Sequence, residues 1–183
     1  MNLPFVGLSF LMAVANVRRA ADQQAGSVVR HLAPATFALP RSVRKALEER
    51  RCTIPQSFDM AKPHNVIFGT FTERGRSEWA ALCSVRDTSQ ILIVDTRTGG
   101  IVDSLERSAD AHWIQDIGHG RLGYSRRVTL LPRNRIRRWR NDVDRRPIPQ
   151  PIDHDAIQQA FVEKYAEAFY QAAGRWYKRL IAD

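Results

Sequence analysis

An α+β fold, with an antiparallel sheet of about five or six strands flanked by short helices, is what three features of this sequence predict. Residues 66–71 and 78–85 are apolar runs separated by a polar stretch with Gly75 near its middle, the pattern of a hairpin with a loop of intermediate length. Ile91-Leu92-Ile93-Val94 follows the turn-forming Arg86-Asp87-Thr88-Ser89, so residues 65–95 read as a three-strand meander in the middle of the sheet. That third run has no polar side chain on either face and needs cover on both sides. Residues 41–51 offer a short amphipathic helix for it, with Val43, Ala46 and Leu47 at helical spacing and Arg44, Lys45, Glu48 and Glu49 outside.

Before that helix, residues 3–14 are an apolar run of signal-peptide length, and Ala13-Val14-Ala15 has the small-x-small form of a cleavage site. The run is too short to span a bilayer, so no transmembrane segment is expected. Residues 1–15 are therefore read as a signal peptide, and the mature protein as periplasmic or secreted. A cytoplasmic location is the alternative, because no Lys or Arg precedes the run and Arg18-Arg19 follow it at once. Residues 16–40, with Pro34 and Pro40 and no sustained period, read as a linker or disordered leader, and residues 41–183 as a single α+β domain.

Within the domain Ser42 is a candidate helix cap, and Cys52-Thr53-Ile54-Pro55 leads in extended form to Pro63. Residues 101–105 and 128–131 are further strands, separated by a loop over residues 111–125 that contains Gly118, Gly120 and Gly123. Pro132 suits the first turn of a second helix over residues 132–143, where Ile136, Trp139 and Val143 recur at i, i+3 and i+7. Pro147, Pro149 and Pro151 make a stiff crossing. Asp153 or Asp155 can cap a helix that starts just after them. Residues 156–173 stay open between a helix, favoured by their Ala, Glu, Lys and Gln, and the first arm of a terminal hairpin whose second arm is residues 176–181.

The net charge of +9 and pI near 10.4 favour anionic partners, through a field that decays over about 10 Å at 0.1 M salt. Lysine occurs only at positions 45, 62, 164 and 178, so a compositional drift toward arginine explains the charge as readily as a ligand does. The densest basic stretch is the second helix. Arg133, Arg137, Arg138 and Arg140 there form a candidate polyanion-binding face with Trp139 available for stacking. The competing reading is a solvated helix face with Trp139 turned into the core, which the Ile136, Trp139, Val143 spacing favours.

Asp153-His154-Asp155 combines acid–base residue types, but adjacent side chains diverge, so a capping cluster is preferred to a hydrolytic site. A metal held by His112, Asp116 and His119 would need ligands from elsewhere, and no metal or cofactor is assigned. No Walker loop, dinucleotide fingerprint, nucleophile elbow or zincin helix is present. Cys52 and Cys83 form a disulfide if the protein is exported, closing about 30 residues and adding roughly 3 kcal/mol. In the cytosol they are two inert thiols. A catalytic thiol is the remaining option, with no signature around either cysteine.

Cys52-Thr53-Ile54-Pro55-Gln56, Asn65-Val66-Ile67-Phe68-Gly69-Thr70-Phe71, Glu78-Trp79-Ala80-Ala81-Leu82-Cys83-Ser84, Asp153-His154-Asp155-Ala156-Ile157 and Gly174-Arg175-Trp176 occur in this order. From Leu39 to the C-terminus the chain thereby resembles a group of uncharacterised secreted bacterial proteins with the pattern C-x-I-P-Q, N-V-I-x-G-x-F, D-W-A-x-L-C-S, D-H-D-x-I. The resemblance implies export and a Cys52–Cys83 pair, and carries over no catalytic residue. The first hairpin is also similar to one FG-GAP repeat of integrin-type propellers. Its loop, Thr72-Glu73-Arg74-Gly75-Arg76-Ser77, lacks the spaced aspartates that hold calcium there, and a single unit excludes a propeller. The expected function is a non-enzymatic exported module, binding or structural, whose partner is an anionic polymer or another exported protein. A basic polyanion- or nucleic-acid-binding protein is the alternative, and a hydrolase the second alternative.

Overall fold

The computed structural model describes residues 28–137 and 151–181, and over them the chain is mainly β. Strand β1 (Arg30–Leu32) pairs with β2 (Ile54–Gln56). Strands β3 (Val66–Gly69), β4 (Glu78–Val85), β5 (Thr88–Asp95) and β6 (Ile101–Ala109) form an antiparallel meander in that order. A ribbon of β7 (Ile114–Asp116) and β8 (Leu122–Tyr124) follows. A second four-stranded meander consists of β9 (Arg126–Leu131), β10 (Ala156–Phe161), β11 (Tyr165–Ala172) and β12 (Arg175–Ile181). Two short α-helices, α1 (Arg41–Glu49) and α2 (Arg133–Arg137), and two 3-10 turns, Pro34–Thr36 and Asp110–Trp113, complete the described elements.

The antiparallel pairing and the meander are as expected, but the α+β class with one sheet of five or six strands is corrected to a mainly β architecture with four sheets. The difference lies chiefly in residues 156–181. Their composition favours a helix, yet they form three strands because burial on both faces outweighs intrinsic propensity. Ile157, Gln159 and Phe169 face one way. Ala156, Ala160, Ala166 and Ala168 face the other, all buried. Of the two readings left open for residues 156–173, the structure has the strand, and both arms of the terminal hairpin are strands.

The main core lies between the two four-stranded sheets. Ala80, Leu82, Ile91 and Ile93 of the first meet Val128, Ile157 and Phe169 of the second, with Phe71, Trp113 and Tyr124 filling the ends. The outer face of the first sheet carries Ala81, Cys83, Leu92 and Val94 and is covered by Val43, Ala46 and Leu47 of α1 together with Leu39 and Ile54. Leu131, Ala168 and Tyr170 on the outer face of the second sheet pack on Ile136 and Ile152. Half-buried Trp79 alternates with Ala81 and Cys83 along β4 and joins the α1-side cluster, with its ring 5.3 Å from Phe68.

Two polar ties fix how the sheets stack. Asn65, buried at the start of β3 with φ +68°, donates through Nδ2 to the carbonyls of Pro55 (2.6 Å) and Arg126 (3.1 Å), while its Oδ1 accepts from Val128 N–H (2.8 Å). At the opposite edges Trp176 Nε1 donates to Asp103 Oδ2 at 2.7 Å, and Lys178 lies 3.3 Å from both Glu106 and Glu167. Between the sheets Arg126 is fully buried. It donates to Gln159 Oε1 (2.8 Å), to the carbonyl and hydroxyl of Ser89 (3.0 and 2.8 Å) and to the Glu106 carbonyl (2.5 Å), with its guanidinium over the Trp113 ring at 4.7 Å. Such a charge is tolerable in the interior because each of its three nitrogens has an acceptor. Burial holds its pKa below the usual arginine value, and burial with nearby Asp110 pushes the Tyr124 phenol up.

Several local expectations change. Ser42 does not cap α1: Pro40 occupies that position, and the Ser42 hydroxyl donates to the Thr96 carbonyl at 2.6 Å. Only Arg86 and Asp87 form the β4–β5 turn, both with positive φ, and Thr88-Ser89 already belong to β5. Within the stretch read as a linker, Arg30–Leu32 is a strand and Leu39 is buried. The 1–15 leader, Trp139 and Val143 lie outside the described residues. Among the described residues, no helix is long and apolar enough to cross a membrane.

Candidate functional site

The β4–β5 hairpin ends in a two-residue turn, Arg86 (φ +52°) and Asp87 (φ +55°), the doubly left-handed geometry that matches strand twist but normally selects Asn-Gly. Across from it, β6 carries a bulge. Ser89 pairs with Ser108 and Ile91 with Leu105, so Gln90 alone opposes Glu106 and Arg107, and Glu106 has φ +51°. A bulge of this kind re-aims side chains. The chain leaving α1 contributes a fourth left-handed residue, Arg51 (φ +57°).

These three irregularities converge on a depression of about 600 Å³ rimmed by Arg51, Arg86 and Arg107, with Cys83, Thr88 and Gln90 among the residues that line it. All three arginines are exposed, and none forms an ion pair among the described residues. Like charges gathered at one concavity repel, so the arrangement is favourable toward an incoming anion. Thr88 and Gln90 add neutral polar groups. No lining residue has a side chain that exchanges protons near neutral pH. The Cys52–Cys83 disulfide, with Cα atoms 5.0 Å apart, joins the residue next to Arg51 to the wall of the depression. It thereby sets where Arg51 stands relative to the sheet.

Of the arginines singled out from sequence, Arg133 is the one whose side chain is described, and it lies apart from this depression. Arg133 turns onto residues 153–155: its N–H donates to Asp155 Oδ1 (3.1 Å) and its guanidinium to the Asp153 carbonyl (3.3 Å). Arg137 ends α2, and Arg138 and Arg140 lie outside the described residues. Arg133 also borders a second depression of about 460 Å³ with Thr70, Arg74, Gly75, Asp153 and Asp155. Asp155 is occupied there as a tie. Its backbone N–H donates to the Thr70 carbonyl (2.7 Å) and its Oδ2 accepts from Thr70 N–H and Oγ1 (both 3.3 Å). The expected capping role of Asp153 or Asp155 is corrected accordingly, since the next element is the strand β10. His154 is buried and stacks on Tyr170 at 4.5 Å, with Nδ1 3.0 Å from the Asp155 carbonyl.

His112, Asp116 and His119 are not brought together. His112 Nδ1 lies 3.3 Å from Ser108 Oγ, and Asp116 accepts from Gly118 N–H at 2.7 Å. Among the described residues the one group of donors close enough to share a cation is His31, Asp87 and Asp110. Neither this group nor the Arg51, Arg86, Arg107 set was visible in the sequence. Each is made of single residues from separate elements. The one local signal was a polar non-glycine pair, Arg86-Asp87, between two strong strands.

No protein-family model matches the chain, and no curated protein or solved structure matches it.

Proposed function

We propose that this protein is an exported, non-enzymatic binding module whose ligand is an anionic group, phosphate, sulfate or carboxylate on a larger molecule, received between Arg51, Arg86 and Arg107. The observation that carries the reading is the convergence of three arginines without carboxylate partners on one depression, each set by left-handed or bulged backbone. Such backbone costs of order 1–3 kcal/mol per residue and clusters where geometry serves a ligand. The net charge of +9 adds a long-range attraction for the same class of ligand. The disulfide supports a periplasmic or secreted location, since cytosolic thiols are kept reduced. A hydrolase at residues 153–155 is less favoured, because the Asp155 carboxylate is taken up by Thr70 and the Arg133 backbone.

Retention on immobilised heparin as a function of salt tests this. The variant Arg51→Gln/Arg86→Asn/Arg107→Gln, with Asn at 86 to keep the left-handed turn, should elute much earlier and with a flatter salt dependence. Arg133→Gln should elute like the parent. Unchanged elution of the triple variant would sink the reading, and loss confined to Arg133→Gln would move the site to α2.

A further inference from the structure

On the other side of the same turn, we propose a binding site for a zinc-class divalent cation, with His31, Asp87 and Asp110 as ligands. The three come from β1, from the β4–β5 turn and from the 3-10 turn Asp110–Trp113, and their donor atoms lie within 4.8 Å of one another. Zinc bound at about 2.0–2.2 Å needs donors about 3.5 Å apart, so the set closes by roughly an ångström. Asp87, exposed at a hairpin tip, is free to make that movement.

What distinguishes the group from a chance cluster is its support by residues outside it. Ser84 organises two of the three ligands. Its carbonyl accepts from Thr53 Oγ1 (3.3 Å), and Thr53 Oγ1 lies 2.9 Å from His31 Nδ1. In the tautomer where the Thr53 hydrogen is directed to Ser84, the hydroxyl accepts from Nδ1–H and the His31 Nε2 lone pair is left for a metal. The Ser84 hydroxyl donates to Asp110 Oδ2, and Tyr124 donates to Oδ1 at 3.3 Å. Each carboxylate oxygen keeps a second lone pair. Orientation of ligating His and Asp by hydrogen bonds of this kind is the usual environment of a metal. Asp110 is also only 1% exposed and has no ion pair among the described residues, while the nearby Arg126 spends its donors on Gln159, Ser89 and Glu106. A divalent cation would add to the compensation that the two hydroxyls and the more distant Arg126 charge give this buried carboxylate. One imidazole with two carboxylates suits zinc or its neighbours, whereas calcium and magnesium favour all-oxygen sets.

The site is independent of the anion reading, since it uses none of the three arginines. Full-length oxidised protein, stripped with chelator, is titrated with zinc against a chromophoric competitor. One equivalent should bind, with affinity reduced at least about tenfold by His31→Gln and by Asp87→Asn, which preserves the left-handed turn. Ser84→Ala should weaken it in the same direction, and His119→Gln should leave it unchanged. Failure to bind one equivalent, binding that survives both ligand substitutions, or calcium binding as tight as zinc overturns the proposal.

Discussion

His64 shows how one side chain makes this structure sensitive to acid. Its Nδ1 donates to the Lys62 carbonyl (3.0 Å), and its Nε2 accepts from Ser57 N–H (2.8 Å), so the ring is held as the neutral tautomer. Partial burial is the main reason its pKa falls below 6.5 in the folded protein. Between the depressed folded value and the unfolded one, the unfolded chain binds the extra proton. The stabilisation is therefore complete above about pH 6.5 and is lost as pH falls through the folded pKa. Asp95, lowered by hydrogen bonds from Thr98 and then by Arg76, follows the same sign in a more acidic window, below its ordinary 3.8. Denaturant midpoints should accordingly decline between about pH 7 and pH 5 in the parent and decline less in His64→Gln. Equal slopes for the two proteins would show that His64 is not the group responsible.

At the scale of elements, the β4–β5 turn sets stability against binding. Arg86 and Asp87 occupy positions where Asn-Gly would sit without strain, and replacing them by Asn-Gly should raise stability by about 1–2 kcal/mol. The same change removes one arginine from the anion depression and one carboxylate from the proposed metal site. Thermal melting and heparin retention should move in opposite directions, and a variant that gains nothing in stability would mean that the turn is unstrained. This element also marks the limit of what the sequence shows. The strands around it were legible because apolar runs on both faces leave few alternatives, and α1 was legible from Val43, Ala46 and Leu47. Residues 156–173 were not, because small alanines packed beneath Ile152 and Ile136 carry the same composition as a helix surface. The arginine rim was invisible because left-handed φ and a bulge leave no periodic trace.

Across the whole molecule, the disulfide belongs to one half of the structure. It joins residues 31 positions apart, links the chain after α1 to β4, and touches nothing of the second meander. Reduction should lower stability by about 3–4 kcal/mol through loop entropy. Hydrogen exchange should quicken first in α1, β1 and β2, and uniform acceleration across both sheets would contradict this division. In each large sheet every strand pairs only with its neighbours in sequence. Apart from the β9–β10 connection over residues 132–155, closing those hairpins needs only short loops, and each meander can zip up largely from local contacts. The ties between sheets span much longer stretches, 61 residues for Asn65 to Arg126 and 73 for Trp176 to Asp103. The search that limits the rate of folding is thus the docking of two half-made sheets, and until it succeeds each apolar inner face can recruit the matching face of another chain.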